Sequence, residues 1–290
     1  MHHCTQLLII DAQNDFCDLP PSHCPPEPAS GQPLTPALPV AGAHADLQRL
    51  AGFIQRNLAQ LGAITATLDA HHHIDIAHPP FWRTGAGAAV APFTPISAAQ
   101  VRAGDFKPAD ATALPRVLAY LEALEAARRY RLMVWPVHCQ IGSWGQGLHA
   151  DVLAACNAWE RHHLQPVHTV AKGSNPWTEH YSALQAEVPD SADPATALNT
   201  ALLARLDSAH TLLVAGQASS HCVRATVEHL VAHLPSGRPE RLVLLTDCMS
   251  PVAGFEAQAS AFLQAMQAQG VRLLRHGQAT AALQAQVQAA

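Results

Sequence analysis

The run LLVAGQASSHCVRATVEHL, residues 212–230, constrains the fold more than any other stretch of the chain. The apolar residues Leu212, Leu213, Val214 and Ala215 stop at Gly216, and small and polar residues follow. From Val223 the apolar positions recur at Val227, Leu230, Val231 and Leu234, which is one face of a helix. A strand, a tight turn and a helix therefore follow one another, and Cys222 falls in the first helical turn. Backbone N–H groups there lack an intrahelical partner and the helix dipole favours negative charge, so a thiolate is expected to be stabilised. Two readings of Cys222 stay open at this point, a nucleophile and a small buried hydrophobe.

The same alternation runs along the chain. Short apolar runs predict strands near residues 6–10, 63–68, 132–137, 166–170, 211–215 and 241–246. Helices are predicted over 43–61, where Leu47, Leu50, Ile54, Leu58 and Leu61 share a face, and over 115–129, 196–207, 222–234 and 254–269. Strands separated by helices call for an α/β fold: a doubly wound, mostly parallel six-stranded sheet with helices on both faces. Two stretches break the alternation. Residues 19–40 are dense in proline, and 73–107 are rich in Pro, Gly and Ala. Long loops in compact domains serve as lids or stay disordered. Because both follow strand ends, they are read as lid-like insertions in one domain spanning residues 1–290.

Composition narrows the function. A net charge of −5 without any basic run gives no footing for nucleic acid or a membrane surface. No apolar stretch approaches the ~20 residues that cross a bilayer, and the N-terminus lacks a basic region before an apolar one, so a cytoplasmic protein is expected. Seven irregularly spaced cysteines, an odd number, read as reduced thiols.

Three residue types with complementary chemistry stand at predicted strand ends. Asp11 closes the first strand, where a structural turn cap is the competing reading. Lys172 follows another apolar stretch, where a solvated lysine competes. With Cys222 they make a nucleophile, a proton acceptor and a cation that favours the charged forms of both. In Asp69-Ala70-His71, residues two apart in an extended segment point the same way, so carboxylate and imidazole can reach one metal ion. His72 and His73 are substitutes under a one-residue register shift. Most of the 19 histidines show no ligand spacing.

The segments IIDAQNDF, TLDAHH, WPVHCQIGSWG, AKGSNPWTEHYSAL and VAGQASSHCVRAT, in this order, resemble the cysteine hydrolases of the nicotinamidase and isochorismatase-like superfamily. The resemblance runs from Leu7 to about Gly270, outside the two insertions. It implies Asp11, Lys172 and Cys222 as catalytic residues. It also implies backbone N–H groups of Ala218 and Cys222 as an oxyanion hole, with a cis peptide at Gln217–Ala218. Metal-ligand roles fall on Asp69, His71 and His138, for one divalent ion: zinc, with manganese or iron as alternatives. Phe16 and Trp135 match residues that sandwich a flat substrate ring, against ordinary core packing as the other reading. The implied activity is release of ammonia from a small carboxamide, nicotinamide or a relative, through a thioester, in a homo-oligomer. An isochorismatase-like reaction on another small molecule and a non-catalytic binding protein are the alternatives. Ala70 stands where nicotinamidases place Trp, and Ser220-His221 replaces an acidic-aromatic pair. Both departures leave the substrate less constrained than the chemistry.

Overall fold

The computed structural model describes residues 5–288. Ten strands form: β1 (Thr5–Ile10), β2 (Leu61–Asp69), β3 (Trp82–Thr84), β4 (Thr94–Ile96), β5 (Phe106–Pro108), β6 (Leu132–Val134), β7 (His168–Lys172), β8 (Thr211–Gly216), β9 (Leu242–Leu245) and β10 (Arg272–Leu274). The helices are α1 (Ala43–Arg56), α2 (Ala98–Ala103), α3 (Leu114–Ala127), α4 (Ala150–His163), α5 (Thr200–Asp207), α6 (Cys222–His233), α7 (Glu256–Ala268) and α8 (His276–Gln288). Six strands make one parallel sheet in the order β10-β9-β8-β1-β2-β7. From β1 the chain winds first to β2 on one side and later to β8 on the other. The β1/β8 boundary is therefore a topological switch point, where open α/β sheets leave a crevice beyond their carboxyl ends.

Alternation of side chains sends each strand's residues to opposite faces. Leu8, Ile10, Leu212, Val214, Leu242 and Leu244 pack with α5, α6 and α7, through Leu203, Leu206, Val223, Val227 and Phe262. Leu7, Ile9, Leu213, Ala215, Val243 and Leu245 pack with α1, α4 and α8, through Leu47, Leu50, Ile54, Trp159 and Leu283. Both faces of β1 are thus buried, as its unbroken apolar run requires.

The predicted strand at 132–137 is not in the central sheet. Only Leu132–Val134 is extended, pairing antiparallel with β4, and Trp135 N–H turns to the carbonyl of Ala77 at 2.7 Å. Pro136 has no N–H to continue a ladder. The sixth central strand is β10, which three residues beside β9 suffice to form. Helix α1 stops at Arg56, short of the predicted 61, and Leu61 opens β2. Helices α2, α4 and α8 had no counterpart in the sequence reading.

Segment 73–107 is not structureless. It contributes β3, β4, α2 and β5, and buries Ile76, Phe81, Trp82, Ile96 and Val101 against Val117 and Leu121 of α3 in a third apolar cluster. No disulfide links the described cysteines. Among the described residues no helix is long and apolar enough to cross a membrane.

Candidate active site

The residues singled out in the sequence converge at the carboxyl ends of β1, β2, β7 and β8. Registers place Asp69 beside Lys172 across β2 and β7, and Ile10 beside Gly216 across β1 and β8. Asp11 follows β1 at φ 44°, a left-handed conformation that a short polar side chain tolerates. Its N–H donates to Thr67 Oγ1 at 3.1 Å, and the Thr67 hydroxyl donates back to Asp11 Oδ1 at 2.5 Å.

Lys172 Nζ lies 2.9 Å from Asp11 Oδ2, 2.9 Å from Asp69 Oδ1, 3.0 Å from the His180 carbonyl and 3.6 Å from Cys222 Sγ. Three ammonium hydrogens cannot align with four acceptors. They go to Asp69, His180 and Cys222, so Asp11 Oδ2 is in ion-pair contact but receives no aligned hydrogen bond. A carboxylate oxygen of Asp11 and Cys222 Sγ belong to one buried cluster and lie within 4.8 Å of each other. Burial opposes the Lys172 charge, but Asp11, Asp69 and Cys222 outweigh it and hold the ammonium well above its ordinary pKa. Burial raises the Asp11 pKa, and Lys172 only partly offsets it.

The thiolate expected from the helix N-terminus is not the resting state. Burial pushes the Cys222 thiol well up, Lys172 pulls it down, and Asp11 and Asp69 push it up again. With two carboxylates at hand, the sulfur keeps its proton until a neighbouring oxygen takes it. Beyond β8 the Gln217–Ala218 peptide is cis. Gln217 anchors this turn: its N–H donates to Ile10 O at 2.8 Å and its side-chain amide to Asp46 Oδ2 at 3.0 Å. The N–H groups of Ala218 and Cys222 donate to no protein acceptor among the described residues.

Asp69, His71 and His138 offer ligand atoms all within 4.8 Å of one another. His71 Nδ1 meets the Asp75 carboxylate at 3.1 Å and His138 Nδ1 meets the Pro136 carbonyl at 2.9 Å, so each Nδ1 carries the hydrogen. Both Nε2 lone pairs then face Asp69 Oδ2, at 3.1 and 3.6 Å, and His71 Nε2 is buried without a hydrogen-bond partner. Lone pairs against a carboxylate repel until positive charge lies between them, and two imidazoles with one carboxylate suit a divalent transition ion. The site draws such charge: burial disfavours a charged His71, but Asp69 and Asp75 overcome it and hold its pKa well above the ordinary value. The residues present therefore fit a metal. His72 and His73 are exposed and take no part.

A narrow pocket reaches the sulfur, bounded by Phe16, Trp135, Asp69, His138, Ala218 and Cys222. Leu38, from the proline-rich segment, and Glu179 also face it. The sequence reading had no role for Glu179, Asp75, His78 or Tyr181. Glu179 is 4% exposed, its Oε2 has no partner, and burial raises its pKa. Tyr181 accepts from Trp135 Nε1 at 3.1 Å, fixing that ring. His78 Nε2 touches His138 Nδ1 at 3.2 Å. The one usable signal was position: Glu179, His180 and Tyr181 lie in the stretch after Lys172 that returns under the pocket.

A second group, Asp247, Cys248 and His276, also gathers ligand atoms. Its carboxylate is already spent on the start of α8, accepting from His276 N–H at 2.8 Å, His276 Nδ1 at 2.7 Å and Arg275 Nε at 3.3 Å.

No protein-family model matches this chain, and neither does any curated protein sequence. Solved structures do. A yeast nicotinamidase bound to the inhibitor nicotinaldehyde aligns over 93% of this chain and 99% of its own, at 16% identity and TM-score 0.59. A Pyrococcus horikoshii pyrazinamidase in complex with zinc aligns over 93% and 98%, at 17% identity and TM-score 0.53. An isochorismatase family protein from Desulfovibrio vulgaris aligns over 97% and 98%, at 18% identity and TM-score 0.50. At these identities the likeness shows the fold alone, which this chain shares with those nicotinamidase, pyrazinamidase and isochorismatase family structures.

Proposed function

We propose that the protein is a metal-containing cysteine amidohydrolase that releases ammonia from a small carboxamide, nicotinamide or a related ring amide. The observation that carries this reading is the contact set of Lys172, whose ammonium touches Asp11 Oδ2 at 2.9 Å and the Cys222 sulfur at 3.6 Å and so brings acid and thiol together. Asp11 Oδ2 takes the proton from Sγ as the sulfur attacks the amide carbon. The N–H groups of Ala218 and Cys222, both without protein acceptors, receive the oxyanion. Asp11 returns the proton to the departing nitrogen, ammonia leaves, and a thioester remains on Cys222. Water then attacks the thioester, giving its proton to Asp11, and the thiol is restored as the carboxylic acid departs. Lys172 keeps Asp69 ionised and favours the carboxylate form of Asp11 whenever it has given up its proton. Asp69, His71 and His138 would hold a divalent ion, zinc first and manganese or iron as alternatives, whose Lewis acidity serves to fix a ring nitrogen or a water.

Phe16 and Trp135, on the pocket wall, would clasp the ring. We read residues 1–290 as one catalytic domain covered in part by segment 19–40. Leu38 reaches the pocket, its N–H bonds the Asp15 carbonyl at 3.0 Å, and Asp15 Oδ2 in turn accepts from Cys139 N–H at 2.7 Å. We read segment 73–107 as part of the same cover, since Phe93 stands edge-on to the pocket residue Trp135 with ring centroids 6.0 Å apart. A cytoplasmic, homo-oligomeric enzyme completes the reading on resemblance.

The test is ammonia release from a panel of carboxamides including nicotinamide, by wild-type protein with and without chelator and by Cys222→Ala. Turnover is expected from the metal-loaded wild type only, with a loss of at least about 10³-fold in the variant. No ammonia from any amide would overturn the proposal. Ammonia release surviving in Cys222→Ala would show that the thiol is not the nucleophile.

A further inference from the structure

The pocket does not end at the nucleophile. Trp135, Tyr181 and His221 are walls shared with an outer cavity of about 250 Å³, open to solvent. The charged lining of that outer cavity is Arg129, Arg131 and Arg224, with no carboxylate. Two acids behind this lining offset part of the charge. Arg129 meets Glu187 at 3.3 Å and Glu228 at 3.0 Å, and Arg224 shares Glu228 at 2.8 Å. Arg131 is exposed and pairs with no acid among the described residues. The surface cleft continuing outward adds Arg128, also exposed, and one acid, Glu125, whose Oε1 accepts from Ala98 N–H at 2.8 Å.

His221 links the two cavities. Ser220 Oγ accepts from Val252 N–H at 3.1 Å and lies 2.9 Å from His221 Nδ1, which fixes the ring between them. From the sulfur outward, the charged lining thus changes from the carboxylates Asp69 and Glu179 to guanidinium groups.

We propose that the substrate carries an anionic group, a carboxylate or a phosphate, on an arm that extends past His221 to Arg131 and Arg224 while its carboxamide lies at Cys222. Guanidinium forks match both oxyanion geometries, and a cationic mouth raises the local concentration of such a molecule. This deepens the amidase reading and rests on it, since that reading places the carboxamide.

The test compares pyridine-3-carboxamides bearing a carboxymethyl, a phosphonomethyl or a neutral methyl-ester arm, placed at each free ring carbon in turn. Wild type is expected to prefer an anionic arm over the ester by about fivefold or more in kcat/KM, what one well-placed surface charge pair is worth. The preference should shrink between 50 and 500 mM salt, as screening requires. In Arg131→Gln it should fall, and in the double variant with Arg224→Gln it should vanish. The carboxymethyl and phosphonomethyl arms tell which anion is taken. Equal use of ester and acid by wild type, or a preference that survives both replacements, overturns the proposal. If wild type hydrolyses no amide at all, the amidase reading fails separately. Calorimetric binding of the same compounds to Cys222→Ala then decides the arginine site: tighter binding of an anionic arm supports it, and equal binding sinks it.

Discussion

Lys172 Nζ stands 2.9 Å from each of two carboxylates that are almost fully buried, Asp11 and Asp69. Removing a cation from such a group leaves charge without compensation, which costs about 3–5 kcal/mol. Lys172→Met is therefore expected to lower stability by that order in urea denaturation and to lose turnover as well. A variant within about 1 kcal/mol of wild type would show that the carboxylates are neutralised in another way. At this scale the sequence displayed the residue types and their placement at strand ends, and so Asp11, Lys172 and Cys222 were legible. Cys222's protonation was not, because the helix N-terminus argues for a thiolate while burial and two distant carboxylates argue for a thiol. Glu179 and Asp75 were illegible for a similar reason. Nothing local marks a glutamate or aspartate whose partner or pocket comes from another part of the chain.

Gly173 shows how element geometry serves the site. It leaves β7 at φ 85°, and a Cβ there would lie 2.8 Å from Asp69 Oδ1 and 3.2 Å from His71 Cε1. Gly173→Ala adds left-handed strain and pushes on two proposed metal ligands together. A 10–100-fold loss of zinc affinity is expected, on the scale of disturbed ligand orientation, read by competition with a chromophoric chelator. Unchanged affinity would remove Asp69 or His71 from the metal site. Gly216 plays the matching part at β8, where a Cβ would fall 1.9 Å from the Ile10 carbonyl. Strands β1, β2, β8 and β9 were legible because their apolar runs are long and buried on both sides. The segment after Leu132 reads as a strand just as well, yet it pairs with β4. Its apolar pattern says nothing about which neighbour will supply hydrogen bonds. Strand β10 is too short to stand out, and α8 begins on a cap supplied by Asp247 from elsewhere in the chain.

For the whole molecule, buried histidines set the acid limit. Burial lowers the pKa of His180 to about 3 and of His149, His221 and His229 to about 4, against an ordinary 6.5. Between about pH 6.5 and 4 the unfolded chain binds protons at these sites that the folded chain refuses, so stability falls as pH drops through that window. Glu187 acts with the opposite sign. Burial raises it to about 7, so its contribution is present at acid pH and fades as pH rises through 7. With His78, also lowered to about 3, five histidines stand against Glu187 and the likewise raised Asp11, Glu179 and His71, and a melting temperature that declines from pH 7 to pH 5 is expected. A rise over the same range would mean that Glu187 and the other carboxyls dominate.

By itself the sequence determined the alternation of strands and helices, the burial of β1 on both faces, and the chemical types waiting at the strand ends. These follow from periodicity and residue chemistry, which are properties of neighbours along the chain. Only the tertiary structure decided which strand closes the sheet, that Lys172 has four acceptors for three hydrogens, and that guanidinium groups from α3's end and α6 share one mouth. Those are relations between residues far apart in sequence, set by strand register and packing, and no local pattern encodes them.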